Sequence, residues 1–152
     1  MAVSRRALIA ALVATATLSL APPAGAAESA SAARAAVTDI REVINLLPYQ
    51  VQFFKREDQS TFTVMANSRW TGSMWIPWAA SETEMEDKHI IIYWSNGRLR
   101  LFQDYRDPSD QVKYSQMIVY HAAIPVPGAS TGGGRKRVTV NPDGSLSMEN
   151  IG

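Results

Sequence analysis

Residues 89–104 read His-Ile-Ile-Ile-Tyr-Trp-Ser-Asn-Gly-Arg-Leu-Arg-Leu-Phe-Gln-Asp, two apolar runs around one Asn-Gly pair. Asn and Gly both tolerate the positive φ of a type I′ turn, so this is the strongest short hairpin signal in the chain. A two-residue loop at Asn96-Gly97 sets Trp94 opposite Leu99, Tyr93 opposite Arg100, Ile92 opposite Leu101 and His89 opposite Asp104. Opposed residues share a face. Trp94, Ile92, Leu99 and Leu101 then form the core side, with Tyr93, Arg100, His89 and Asp104 on the other. Trp94 is accordingly read as structural.

The same vocabulary continues outward. Tyr49–Arg56 alternates, meets a polar turn at Glu57–Ser60 and returns through Thr61–Ala66, which is a second hairpin. Met74–Trp78 is a further apolar run, bent at Pro77, which cannot donate to a ladder. Ser81 and Glu84 have capping-box spacing and predict one helical turn. Gln111–His121 reads as a long strand, and the Pro/Gly-rich Ile124–Gly134 as a mobile loop. Asn141-Pro-Asp-Gly144 reads as a type I turn with Gly144 left-handed, closing a terminal hairpin between Val138–Val140 and Leu146–Met148.

Thr38–Leu47 fits two patterns. Ile40, Val43, Ile44 and Leu47 would make a helical face capped by Asp39, whereas strict alternation would make an edge strand. The strand is preferred because β signals follow without pause. The sum is about eight strands and no long helix. That predicts an all-β chain: a single antiparallel β-sandwich or barrel-like domain over residues 38–152.

The N-terminus has a different character. Arg5 and Arg6 precede an uncharged stretch from Ala7 to Leu20, then Pro22-Pro23 and Ala24-Gly25-Ala26. These are the parts of a secretory signal peptide over residues 1–26, cleaved after Ala26. Its apolar stretch is short for a membrane span, and no transmembrane segment is expected in the mature chain. Ser4-Arg5-Arg6 resembles a twin-arginine signal, so the reading is a bacterial protein exported to the extracellular space by Sec or Tat. Residues 27–37 are Ala/Ser-rich and expected to be flexible.

The intact chain carries a formal net charge of +1, and loss of Arg5 and Arg6 turns it to −1. A nearly neutral domain has no global field for nucleic acid. The absence of cysteine excludes disulfides and thiolate metal sites. The domain must hold together by packing alone.

Chemistry-bearing features are sparse. Three of the four tryptophans, Trp70, Trp75 and Trp78, fall within nine residues. Indoles suit sugar rings, aromatic ligands and protein hot spots, so these three are candidate ligand-binding residues, together with Tyr93 and Arg100. Strand parity puts Met74, Ile76 and Trp78 on one side and Ser73 and Trp75 on the other. The competing reading makes Met74, Ile76 and Trp78 core, with Trp75 the member to expect at the surface.

His89 and His121 are the only histidines and lack zinc-ligand spacing. The expected His89–Asp104 pair could orient an imidazole, or be a plain cross-strand ion pair. Gly128-Ala-Ser130-Thr-Gly132 matches a nucleophile elbow in letters only, since it precedes a basic strand and both histidines come before it. The Gly132–Arg137 stretch lacks Walker spacing and reads as a loop entering a positively guarded edge strand. Asp104, Asp107, Asp110 and the acidic Glu82–Asp87 run match no calcium loop. No catalytic set, metal site or cofactor is assigned.

Three functions are consistent with these residues. The first is a secreted, non-catalytic binding module for carbohydrate or a cell-envelope polymer. The second is a secreted protein-directed inhibitor or toxin-like effector, using Ile124–Gly134 and Trp75 as its contact. The third, a hydrolase with dispersed carboxylates or His89, has the least behind it.

Overall fold

The computed structural model describes residues 37–107 and 109–152. The expected signal peptide and nearly all of the expected flexible lead-in lie outside the described residues. The rest is a mostly β, mainly antiparallel sandwich of two sheets. One has four strands and the other seven.

The four-stranded sheet has β1 (Thr38–Asn45) between β10 (Gly134–Val140) and β4 (Arg69–Trp75), with β11 (Leu146–Asn150) outside β10. The larger sheet runs β3 (Thr61–Val64), β2 (Val51–Lys55), β6 (Ile90–Trp94), β7 (Gly97–Asp104), β8 (Gln111–Ser115) and β9 (Ile124–Pro125). β5 (Trp78–Ala79) pairs in parallel with the far end of β7. The described residues thus hold eleven strands where about eight were expected, β5 and β9 being two-residue pieces. The core lies between the sheets: Ile40, Val43, Met74, Val138 and Met148 from one meet Phe53, Ile90, Ile92, Leu101 and Val112 from the other. Each such fully buried aliphatic or aromatic side chain contributes about 1.5–3 kcal/mol by leaving water.

The N-terminal element is a strand, as preferred, but an internal one. It pairs in parallel with β10 and antiparallel with β4. A β-bulge between Ile40 and Glu42 reconciles both sequence patterns. One extra residue resets the alternation, so Ile40 and Val43 both reach the core while Glu42 faces outward. That spacing of three is what made a helix plausible.

The signature hairpin forms with its turn one residue earlier than expected. Ser95 and Asn96 make the loop, Trp94 pairs with Gly97, Tyr93 with Arg98, Ile92 with Leu99 and Ile91 with Arg100. None of Ser95, Asn96 and Gly97 takes positive φ, so the type I′ turn is not used. Gly97 answers a different need, because a Cβ there would come within 2.6 Å of the Trp94 indole. Moving the loop by one residue shifts each pair by two, which preserves the faces. Ile92, Leu99 and Leu101 are buried as expected, with Ile90 on the same face, but Tyr93 does not face Arg100 and His89 does not pair with Asp104.

Pro77 is where the chain changes sheets. Ile76 N–H still donates to Thr38 of β1, at 2.9 Å, while the Pro77 carbonyl already accepts from Gln103 of β7, at 2.9 Å. A helix, α1 (Glu82–Lys88), follows; the Ser81 hydroxyl accepts from Glu84 N–H and the Glu84 carboxylate accepts from Ala80 N–H. The capping signal is real, and the helix runs to seven residues.

The expected long strand over Gln111–His121 ends at Ser115. Arg100 donates to the Gln116 carbonyl and draws the chain across the outer face of the larger sheet. A 3-10 turn at Tyr120–Ala122 then packs Tyr120 on Phe102, beside Met85 of α1. Nor is Ile124–Gly134 a free loop: it stitches the two sheets together. Val126 N–H donates to Val112 and Val112 N–H to Ser130, while Ala129 N–H donates to Met148 and Met148 N–H to Pro127, all between 2.7 and 3.0 Å. Gly128 lies against Met148 with φ +98°, where any side chain would collide with the Met148 carbonyl. The terminal hairpin forms as read, Gly144 taking φ +81°.

Candidate functional site

The β6–β7 tip, the loop after β1 and the β10–β11 turn meet at one end of the sandwich. A cleft of about 940 Å³ opens there, lined by Tyr49, Tyr93, Trp94, Arg98, Met117 and Gly144 among others. Trp94 belongs to the inner face of its hairpin and packs on the core, yet remains partly exposed. Its ring spans the gap between the sheets, lying over Gly97 on one and close to Gly144 on the other. The structural reading of Trp94 therefore holds, and the same residue also lines the cleft.

Tyr93 alternates to the outer face and is 38% exposed. Its hydroxyl donates to Gln52 Oε1 on the neighbouring strand β2, which fixes the ring orientation. Arg98 stands directly across from it on β7. Arg100, two residues further along the same face, is tied to the Gln116 carbonyl. Burial, then the neighbouring Arg98 charge, pulls the Arg100 guanidinium below its ordinary pKa. Met117 forms part of the wall and is 66% exposed.

The tryptophan cluster is dispersed by the fold. Trp70 faces inward and stacks on Phe62, with ring centroids 3.6 Å apart and planes 4° from parallel; Phe62 in turn stacks on Phe53 at 4.7 Å. That column joins the two sheets along one edge. Trp75 faces the opposite way on the same strand and is 52% exposed, as its parity demanded. It stands beside Asp39, which accepts from Ser73 and Arg41. The charged grid of Glu42 with Arg69 and Arg137, and of Arg137 with Glu149, completes that outer face. Trp78 is half-buried on β5 with its ring 6.1 Å from that of Tyr105. Of the five candidates, Tyr93 lines the cleft and Arg100 adjoins it. Trp70, Trp75 and Trp78 are not among its lining residues.

Asp104, Tyr120 and His89 are engaged within the fold. Asp104 is buried and accepts from Tyr120 OH at 2.6 Å, Lys113 Nζ at 2.9 Å and Arg106 N–H at 3.0 Å. Burial alone would raise its pKa, but the bonds from Tyr120 and Lys113 more than offset that and hold it below the usual carboxylate range. Burial and the same carboxylate push the Tyr120 phenol up to about 12. His89 is wholly buried and uses Nδ1 on the Met85 carbonyl. Burial lowers its pKa, and the same burial closes the ring off from solvent. Among the described residues, no three His, Asp or Glu side chains converge so as to hold a metal ion.

Sequence reasoning missed Arg98, Tyr49 and Met117. The signal for Arg98 was present, since placing the loop at Ser95-Asn96 pairs it with Tyr93. Tyr49 and Met117 reach the cleft through loop paths that no local pattern encodes. No protein-family model matches this chain, and neither a curated protein nor a solved structure shows significant similarity to it.

Proposed function

We propose that this domain is an exported, non-catalytic binding module for a carbohydrate or cell-envelope polymer, taken up in the cleft at the β6–β7 tip. The observation that carries the reading is the exposed, orientation-locked ring of Tyr93 in a cleft shared with Trp94 and Tyr49. A fixed aromatic face stacks on a sugar ring at little entropic cost. Asp104 and His89, the two groups considered for proton transfer, are buried outside this cleft. The basic, apolar, small-residue layout of residues 1–26 supports export.

The test is affinity electrophoresis of the purified chain through gels containing neutral and acidic glycans. Tyr93→Ala should abolish retardation on a retained glycan while leaving the circular dichroism spectrum and melting temperature unchanged. Retardation equal to the unaltered chain would refute this placement of the site.

A protein-directed role has one observation in its favour: Trp75 stands exposed on a flat, charge-bearing sheet face away from the cleft. Trp75→Ala should leave glycan retardation intact if the cleft is the glycan site.

A further inference from the structure

We propose that the cleft takes an acidic saccharide, a sugar chain whose carboxylate or phosphate substituent docks on the Arg98–Arg100 pair while a ring stacks on Tyr93. This rests on the reading of the cleft as a glycan site and narrows it to one ligand class.

Arg98 and Arg100 project from the same face of β7, about 7 Å apart by strand rise. Neither has an ionic partner, a trait shared among the described residues with Arg56, Arg106, Arg135 and Lys136. These two, however, are the ones that stand side by side on one strand face next to an exposed aromatic ring. Six other cations are paired, Lys88 with Glu84 among them. Arg41 has Asp39, Arg69 has Glu42, Arg137 has Glu42 and Glu149, Lys55 has Glu57 and Asp58, and Lys113 has Asp104 and Asp107. Neither Arg98 nor Arg100 pairs with a carboxylate, and Arg100 Nε is buried without any hydrogen-bond partner. Two like charges side by side form an arrangement that an anion relieves, docking on the exposed Arg98 fork with Arg100 beside it.

The donor geometry fits a discrete acidic group. Guanidinium forks bind carboxylate and phosphate in bidentate fashion, with charge-assisted bonds about twice as strong as neutral ones. Arg100 is already oriented by the Gln116 carbonyl. The single carboxylate among the lining residues, Asp143, has Oδ1 occupied by Ser145 N–H and hydroxyl. Tyr93 opposite Arg98 supplies an apolar face beside the charge. A ring with an acidic substituent satisfies both features, whereas a neutral sugar leaves the arginines as they are. The chain's formal charge of +1 gives no broad positive field of the kind that long polyanions exploit.

Affinity electrophoresis and titration calorimetry of the purified chain test this with four probes. These are polygalacturonate, a poly(ribitol phosphate), a neutral β-glucan and polyglutamate. Binding to polygalacturonate, to the phosphate polymer or to both supports the proposal, and the comparison identifies the substituent. Arg98→Ala should weaken that binding at least about tenfold, with Arg98→Lys recovering part of it. The Arg98 side chain makes no hydrogen bond or ion pair with the described residues and the Ala backbone keeps the ladder pairing with Tyr93, so this substitution leaves the domain folded. Equal binding to the neutral glucan would overturn the acidic specificity and spare the glycan reading. Polyglutamate bound as well as polygalacturonate would overturn the saccharide requirement. Acidic binding indifferent to Arg98→Ala would overturn the docking site, and no binding to any sugar polymer would overturn this proposal and the glycan reading together.

Discussion

Asp104→Asn isolates the polar network at the end of β7. The buried carboxylate accepts three bonds, from Tyr120 OH, Lys113 Nζ and Arg106 N–H. Asn keeps one acceptor oxygen and replaces the other by a donor, so either Tyr120 or Lys113 must face an N–H₂ group. Tyr120 and Arg106 both bond Oδ1, so the amide oxygen stays with them and the N–H₂ group turns to Lys113, which falls back on Asp107 at 3.4 Å. Losing the charge-assisted bond to Lys113 costs about 1.5–3 kcal/mol, and the bond from Tyr120 weakens because its acceptor is now neutral. The expected loss is ~2–4 kcal/mol, a fall in melting temperature on the order of 10 °C for a domain of this size.

Thermal unfolding followed by circular dichroism at pH 7 measures that loss, and Tyr120→Phe completes a double-mutant cycle. The two substitutions should be non-additive, because each removes the same charge-assisted bond between the Tyr120 hydroxyl and the carboxylate. The pH dependence supplies an independent sign. Asp104 titrates below its unfolded value of about 3.9. Its stabilisation is therefore present above pH ~4 and fades as pH falls through the folded pKa. The gap between the unaltered chain and Asp104→Asn should narrow on going from pH 7 to pH 3. Additive single effects, or a gap that widens in acid, would refute the network as described.

Three further outcomes follow from the same reasoning. His89 is buried and neutral with Nε2 unpartnered and its pKa depressed by burial; stability should fall as pH drops below about 6.5, and His89→Phe should flatten the slope between pH 7 and 5 in urea titrations. Gly128→Ala meets both a positive φ and the Met148 carbonyl; its urea midpoint should drop by an amount equivalent to at least ~2 kcal/mol, and an unchanged midpoint would mean the strip does not bind the sheets together. Lys136 is 1% exposed and reaches only the Thr131 carbonyl and Asn150 Oδ1. Burial depresses its pKa, so native stability should rise with pH up to about 10.4. Lys136→Met should raise the melting temperature at pH 7 and abolish that rise, as measured by scanning fluorimetry.

The sandwich was legible because its evidence is local. Parity in the two central runs placed Ile92, Leu99 and Leu101 inside regardless of which dipeptide formed the turn. Turn chemistry was equally local: Gly144 is left-handed, and Ser81 caps its helix. One recurrent device went unread although it is written plainly. Asp58, Asp107 and Asp143 each precede a serine by two residues, and each accepts from that serine's N–H and hydroxyl. These Asx-type turns hold the three carboxylates below their ordinary pKa, Asp58 at about 2. What the sequence did not disclose was decided between distant residues. The Asn-Gly signal lost to Trp94, whose ring needs Gly97 bare for reasons of tertiary packing. The Pro/Gly stretch looked loose because its hydrogen-bond partners, Val112 and Met148, lie on two different sheets. The tryptophans were over-read as a cluster because proximity in sequence is not proximity in space once Pro77 redirects the chain.

The position of the cleft relative to these anchors bears on how its variants should behave. Its lining comes from hairpin tips, whereas the sandwich is fastened elsewhere: by the Phe53–Phe62–Trp70 column at one edge, by the Val126–Ser130 stitches, and by the Asp104 network at the far end of β7. Tyr93 and Arg98 stand on the outer face and contribute nothing to the buried core. Side chains on tips can change while the anchors hold, so recognition and stability are separable in this domain. Trp94, like Leu99 and Tyr49, is a place where they meet, because it lines the cleft and packs on the core at once. Truncating it should lower both melting temperature and ligand affinity, whereas Tyr93 and Arg98 variants should move affinity alone.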